Sequence, residues 1–299
     1  MTIYNQIDSN KRRSFALLVL FIILVSFLGY IFARAAGFGE GVVLLAFAFS
    51  VLTSIGSFYY GDKIVLAISG ARELAEKENP YLHHLVENVC LGAGMLKPKI
   101  YSIEDTAMNA FATGRDPKHA VICFTTGIVD KLEKLELEGV VAHELSHVKN
   151  YDIRYMALVS VLVGVVTLLS DWFLRSLWWN RGKRNDRESG QFGAVLFIIA
   201  LVLAILSPLF ATLIQLAVSR KREFLADASG ALITRYPEGL ARALQKLARD
   251  KEPLEAANKA TAHLYIVSPL KGQDLVGWFA GLFNTHPPIG ERIKILRSM

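Results

Sequence analysis

Cysteine is scarce in this chain. The two present among 299 residues, Cys90 and Cys123, stand in no CxxC spacing, which excludes a disulfide framework and a cysteine-ligated zinc and reads as two buried thiols in a reducing compartment. Charge is thin as well: 20% of residues are Asp, Glu, Lys or Arg against 53% hydrophobic. That is too apolar for an ordinary soluble domain, so part of the apolar content must face lipid. A net charge of +6 would alone allow nucleic acid, an anionic membrane surface or plain solubility. The basic residues are spread through polar segments and not interleaved with aromatics on one face, so nucleic acid is not an expected partner. Internal repeats and low-complexity tracts are also missing.

Long hydrophobic runs, by contrast, are plentiful. Lys11, Arg12 and Arg13 precede an uncharged run from Ser14 to Ala33, longer than the core of a signal peptide and without a small-x-small cleavage site, so it reads as a retained membrane span. A second uncharged run, Gly41 to Gly61, follows the short linker Gly37 to Glu40 and makes a hairpin. Apolar residues return from Met156 to Ser170, broken by Asp171 and bordered by Trp172, Trp178 and Trp179, aromatics that favour the membrane interface. A fourth run, Gly190 to Ser219, is uncharged and contains Pro208, which should kink it.

The expected plan is a transmembrane hairpin (1–61), a polar block (62–154), a second hairpin (155–219) and a second polar block (220–299). Four crossings put both polar blocks on one side. The distribution of Lys and Arg makes that side the cytoplasm, as for a multi-pass protein of the inner cell membrane. Arg181, Lys183, Arg184 and Arg187, between the third and fourth runs, go against that rule and leave the topology of the second hairpin open. In the first polar block, Pro80 to Cys90 opens a helix. Lys99 to Ile103, Asn109 to Thr113 and Ala120 to Thr125 read as short strands separated by turns. A helical period runs from Ile128 to Leu137, and Val140 to Lys149 forms a second helical segment. The fold class is therefore mostly α with a small β-sheet, in an integral membrane protein.

The segment His143-Glu144-Leu145-Ser146-His147 carries the chemistry. Spacing of four on a helix brings both imidazoles to one face, where their ring nitrogens can reach a single ion. Glu144, beside the first histidine, is then placed as the general base that takes a proton from water and hands it to the leaving amine. The pattern arises by chance in roughly one such sequence in a hundred, so context must sharpen it. A catalytic zinc needs one more protein ligand. Of the other histidines, His83 and His84 are adjacent on a helix and read as surface or boundary residues. Glu223 and Asp227 lie four apart on a helix leaving the fourth run, and like charges at that spacing call for a cation or donor opposite. A zinc ion at Glu223 and a histidine N–H at Asp227 would supply both. Pairing with Arg220, Lys221 or Arg222 on a solvated helix is an equally weighted alternative.

Four blocks in order, NAFATG (Asn109 to Gly114), AHELSH (Ala142 to His147), REFLAD (Arg222 to Asp227) and THPP followed by Arg292, resemble the HtpX family of membrane zinc metalloproteases, relatives of the CAAX prenyl endopeptidase. With the four runs, the resemblance covers essentially the whole chain. It implies four transmembrane helices with a zincin-type, gluzincin-like catalytic domain and one zinc per chain, held by His143, His147 and Glu223. Glu144 is then the general base and Asp227 a partner behind the ligands. The stretch Asn109, Ala110, Phe111 and Ala112 implies a strand whose unpaired edge holds an extended peptide. His286 and Arg292 match positions where a donor stabilises the oxyanion. The implied function is proteolysis of misfolded or damaged membrane proteins, with peptides, membrane proteins and the bilayer as partners. A CAAX-type processing protease and an inactive zinc-binding scaffold are the alternatives.

Overall fold

The computed structural model of the chain describes residues 3–35, 39, 41–180, 220–255, 261–267, 269 and 287–299. It begins with two long helices, α1 (Ile3–Ala35) and α2 (Gly41–Ile68), packed together as a hairpin. Among the described residues these are the two helices long and apolar enough to cross a membrane. Their inner and outer faces differ in kind. On α1, Leu17, Phe21, Val25 and Leu28 recur at helical spacing and pack with Leu158, Leu162 and Val166, while Phe15, Leu20, Ile23 and Phe27 point outward. On α2 the buried face is a stripe of small residues, Ser50, Ser54, Ser57 and Gly61, which lets backbones approach closely.

Helix α6 spans Asp152–Asn180 and contains the third expected apolar run. Its stretch from Tyr155 to Val163 is buried and packs against both α1 and α2. The fourth expected span (190–219), the basic residues at 181–187 and His286 lie outside the described residues.

Between α2 and α6 lies a four-stranded mixed sheet of β1 (Arg72–Glu73), β2 (Lys99–Ile103), β3 (Ala110–Gly114) and β4 (Ala120–Thr125) in the order β1-β2-β4-β3. β2 and β4 are parallel, and the two flanking pairs are antiparallel. Three of these strands fall where alternation and turn residues predict them. The two-residue β1 has no sequence signature. Helix α3 (Pro80–Ala93) starts on a side-chain cap from Asn79 to the Leu82 N–H and stops at Gly94 in the left-handed region, φ 65°.

The expected break before Val140 is absent. The chain instead breaks after α4 (Thr126–Lys131), and α5 runs uninterrupted over Lys134–Lys149. The reason is local: Glu133 and Glu136 satisfy each other's backbone N–H groups in a capping box. Helix α5 is buried from Glu136 to Val148 apart from part of Glu138. It is enclosed by β3, α3, α7 (Arg220–Thr234) and α8 (Pro237–Arg249), with α9 (Ile289–Leu296) packed across α7 and α8. The main core, including Leu137, Val140, Val141, Leu145, Leu240 and Leu244, fixes α5 between sheet and helices. The motif helix is thus the central strut of the polar half.

Candidate metal centre

Helix α5 sets His143 and His147 one turn apart with their rings edge to face, centroids 4.8 Å apart. Their Nε2 atoms are separated by 3.2 Å. Two donors at ~2.0 to 2.1 Å from a tetrahedral ion stand about 3.3 to 3.4 Å apart, so the pair is already spaced for a shared cation. Glu223, in the first turn of α7, is the third group: Oε2 lies 3.8 Å from His143 Nε2 and Oε1 3.5 Å from His147 Nε2. Among the described residues these three form the one group of His, Cys, Asp or Glu side chains arranged to hold a metal, with all ligand atoms within 4.8 Å of one another.

α7 reaches this position because Gly230 lets it lie on α5. A Cβ there would be 3.1 Å from His143 N and 3.3 Å from Ala142 C, tighter than packed side chains accept. Gly230 lies seven residues beyond Glu223 and so shares its helix face.

Each imidazole is held from behind by a carboxylate. His143 Nδ1 is 3.0 Å from Asp227 Oδ1, and His147 Nδ1 is 3.0 Å from Asp152 Oδ2. A carboxylate on each Nδ1 turns both Nε2 atoms inward, the arrangement that orients metal-ligating histidines. Asp227 is in turn gripped by Arg292, Nε to Oδ2 at 2.8 Å and Nη2 to Oδ1 at 2.7 Å. Arg292 is fully buried, not on a helix surface, and its Nη1 lies 3.4 Å from Glu223 Oε2. Burial alone would raise the Asp227 carboxyl, but Arg292 and His143 outweigh it and hold it below the usual range. Glu223 and Asp227 therefore face a histidine pair and one arginine, and the solvated-helix alternative does not describe them.

The two histidines are tuned in opposite directions. Burial pulls His143 down, helped by Arg292 and His147 against the pull of Asp227. Burial pulls His147 down too, but the Asp152 hydrogen bond and the charges of Glu223, Asp152 and Glu144 outweigh it and lift the ring to about 9. Glu144, 2% exposed, stands outside the ligand group. Burial, with Glu223, raises it to about 7, against the opposing effects of His147, the Ala112 N–H and Arg292. A carboxyl poised there can exchange a proton near neutrality.

β3 forms the wall beside Glu144. Its Ala112 N–H donates to the Glu144 carboxylate, and β3 is the terminal strand of the sheet, with its outer edge engaged at the Ala110 end. The Ile266 N–H donates to Ala110 O at 3.0 Å, Asn109 Nδ2 to Val267 O at 3.0 Å and Arg292 Nη1 to Ile266 O at 3.1 Å. Residues 265–267 thus lie along this edge. Phe111 points into a separate cluster, edge to face with Tyr265 at 5.0 Å. The remaining histidines stay apart from the centre: His83 is buried against Leu74 O at 2.9 Å, contrary to its boundary reading, His84 and His119 are exposed, and His263 is buried beside Ser160.

Sequence reasoning missed Asp152. It lies beyond the end of α5, after Tyr151 in the left-handed region at φ 60°. That reversal folds Asp152 back onto His147, and no periodic pattern encodes it. Asp at the first turn of a helix was the available signal, and it indicates a cap as readily as a ligand partner.

Central helix, converging donors and adjacent carboxylate define an HExxH metallopeptidase. The chain belongs to Peptidase family M48, whose sequence profile matches residues 76–299. It is similar over essentially its whole length to proteins named Protease HtpX homolog. The relative from Dictyoglomus thermophilum is 44% identical over 298 residues, covering 100% of this chain and 95% of that protein. That from Thermoanaerobacter pseudethanolicus is 44% identical over 300 residues, covering 100% and 98%. A solved structure, Ste24p of S. mikatae, shares the fold with a TM-score of 0.50 and 18% identity, over 98% of this chain and 67% of that one.

Proposed function

We propose that the chain is a zinc-dependent endopeptidase of the cell membrane, acting at the cytoplasmic face on misfolded or damaged membrane proteins. The observation that carries the reading is the convergence of His143, His147 and Glu223, each imidazole backed by its own carboxylate, with Glu144 alongside and uncommitted as a ligand. This donor set, two imidazoles and one carboxylate, suits a catalytic zinc with one position left for water. Zinc bound there would supply Lewis acidity toward water and a peptide carbonyl. Glu144 accepts the proton of the attacking water on its carboxylate and returns it to the leaving amine.

The groups along β3 suit a peptide backbone. Ala110 O would accept a substrate N–H, while Arg292 Nη1 and Asn109 Nδ2 would donate to substrate carbonyls, which is strand addition to a sheet edge. These are the atoms now engaged by Ile266 and Val267, so that segment moves aside when substrate enters. Arg292 on this reading positions substrate and Asp227. His286 remains the candidate for the oxyanion. Strand addition reads backbone more than side chains, which fits a protease for varied misfolded clients. The helices α1 and α2 would anchor the centre near the bilayer, with the polar blocks 62–154 and 220–299 on the same side.

A CAAX-type processing role would need a lipid-sized chamber among the helices. An inactive scaffold leaves Glu144 unexplained, since a structural zinc is more naturally closed by four protein ligands. The test is Glu144→Gln in the full chain: it should hold one zinc and cut no casein. Cleavage retained by that variant would remove the general-base assignment.

A further inference from the structure

We propose that Asn10, on α1, is a positioning residue of the metal centre. This rests on the metallopeptidase reading above and extends it to a helix outside the residues matched by the family profile, 76–299. Asn10 is 1% exposed. Its Nδ2 donates to Asn150 O at 2.9 Å and to Asp152 Oδ1 at 2.7 Å, and its Oδ1 accepts from Arg222 Nη1 at 3.2 Å. One amide thus joins the C-terminal end of α5, the start of α6 and the start of α7. These are the three elements that supply His143 and His147, Asp152, and Glu223.

The amide can sit in only one sense. Reversing it would set its oxygen against two acceptors and its nitrogen against a guanidinium. In this sense Asp152 Oδ1 takes a donor from Asn10, with Arg222 Nη1 3.4 Å away, so the carboxylate cannot rotate. Oδ2 is left fixed on His147 Nδ1 at 3.0 Å. Asn10 acts through Asp152 on the tautomer and aim of His147, the outer-shell control that sets ligand basicity. Its Oδ1 also accepts from Arg222, which shares Asp152 Oδ1 with the Asn10 amide. The membrane hairpin is then part of the metal centre and not only its anchor.

The experiment compares full-length protein in micelles, loaded with zinc or cobalt, as wild type, Asn10→Ala and Asn10→Asp. Leu17→Ala serves as a packing control, because Leu17 is buried between α1 and α6 and touches none of these polar groups. The expected result for both Asn10 variants is a metal dissociation constant raised about 10- to 100-fold. The cobalt visible bands should shift, and kcat should fall with little change in KM. Leu17→Ala should lower the melting temperature and leave the metal constant and the cobalt spectrum as in wild type. Should Asn10→Ala not fold, Asn10→Asp preserves shape and the Arg222 contact while removing the donor to Asp152. Wild-type metal affinity and cobalt bands in a folded Asn10 variant would overturn the proposal. Failure of the wild-type protein to take up either metal would instead overturn the centre itself, and this inference with it.

Discussion

Arg292 and Asp227 form a two-pronged ion pair with both partners buried, Nε to Oδ2 at 2.8 Å and Nη2 to Oδ1 at 2.7 Å, at the back of the metal centre. The pair joins the C-terminal helix α9 to α7, so a residue 65 positions distant in sequence decides where Asp227, and through it His143, can point. Removing one partner of a buried pair leaves an uncompensated charge and costs about 3 to 5 kcal/mol. Arg292→Ala is therefore expected to lower the unfolding free energy by that order and to lose zinc. Arg292→Lys keeps the charge without the planar fork and should recover part of the stability but little zinc affinity. Denaturant melts with metal analysis check both, and a Lys variant equal to wild type would show that the fork geometry is immaterial.

The segment along β3 supports a prediction about substrate entry. Ile266→Pro removes the N–H that donates to Ala110 O while keeping an apolar side chain. One hydrogen bond contributes about 0.5 to 1.5 kcal/mol. If 265–267 compete with substrate, KM for a short fluorogenic peptide should fall about 2- to 10-fold at unchanged kcat. A raised KM together with a lower melting temperature would make the segment a structural strand.

Close helix approach yields a third expectation. A side chain at Gly230 meets the backbone of Ala142 and His143 at 3.1 to 3.3 Å, and backbone cannot rotate away as a side chain can. Overpacking of this kind costs about 1 to 3 kcal/mol. Gly230→Val should thus separate α7 from α5 and carry Glu223 out of reach of the histidines, reducing zinc stoichiometry as well as stability, with Gly230→Ala intermediate. Full zinc occupancy in the Val variant would show that α7 is held by other contacts.

How much of this was legible in the sequence follows from how local each signal is. His143 and His147 are bound to share a face because four residues make about one helical turn, and β2 and β4 are bounded by turn residues that act within a few positions. Asp227 was legible as a carboxylate needing a donor opposite, and a histidine N–H does meet it at His143; its second partner, Arg292, was expected at the oxyanion and not on this carboxylate. The capping box at Glu133 was overlooked although both its residues stand in plain spacing, and the two-residue β1 exists only because β2 offers it an edge. Asn10 and Ile266 were beyond sequence reading altogether, and Asp152 offered only the ambiguous signal of an acid in a first helical turn. Each acts across at least one turn or helix junction, where contact depends on packing and not on period.

Protons and metal should compete at His147. In the metal-free protein this ring is lifted to about 9, because Asp152, Glu223 and Glu144 together outweigh its burial. A folded pKa above the unfolded value of about 6.5 means that the charged ring stabilises the metal-free fold fully below pH 6.5, and that this contribution is lost as pH rises through 9. Metal binding needs the neutral ring, so the sign reverses for the loaded protein. Zinc uptake at pH 7 should therefore release the His147 proton together with the fraction still held by Glu144, and the apparent affinity should climb with pH until pH approaches 9. The gap in melting temperature between loaded and metal-free protein should widen over the same range. Titration calorimetry in buffers of different ionisation enthalpy counts the protons directly. Zinc binding at pH 7 without proton release would mean that the ring is already neutral there, and that the three carboxylates around it do not hold its charge.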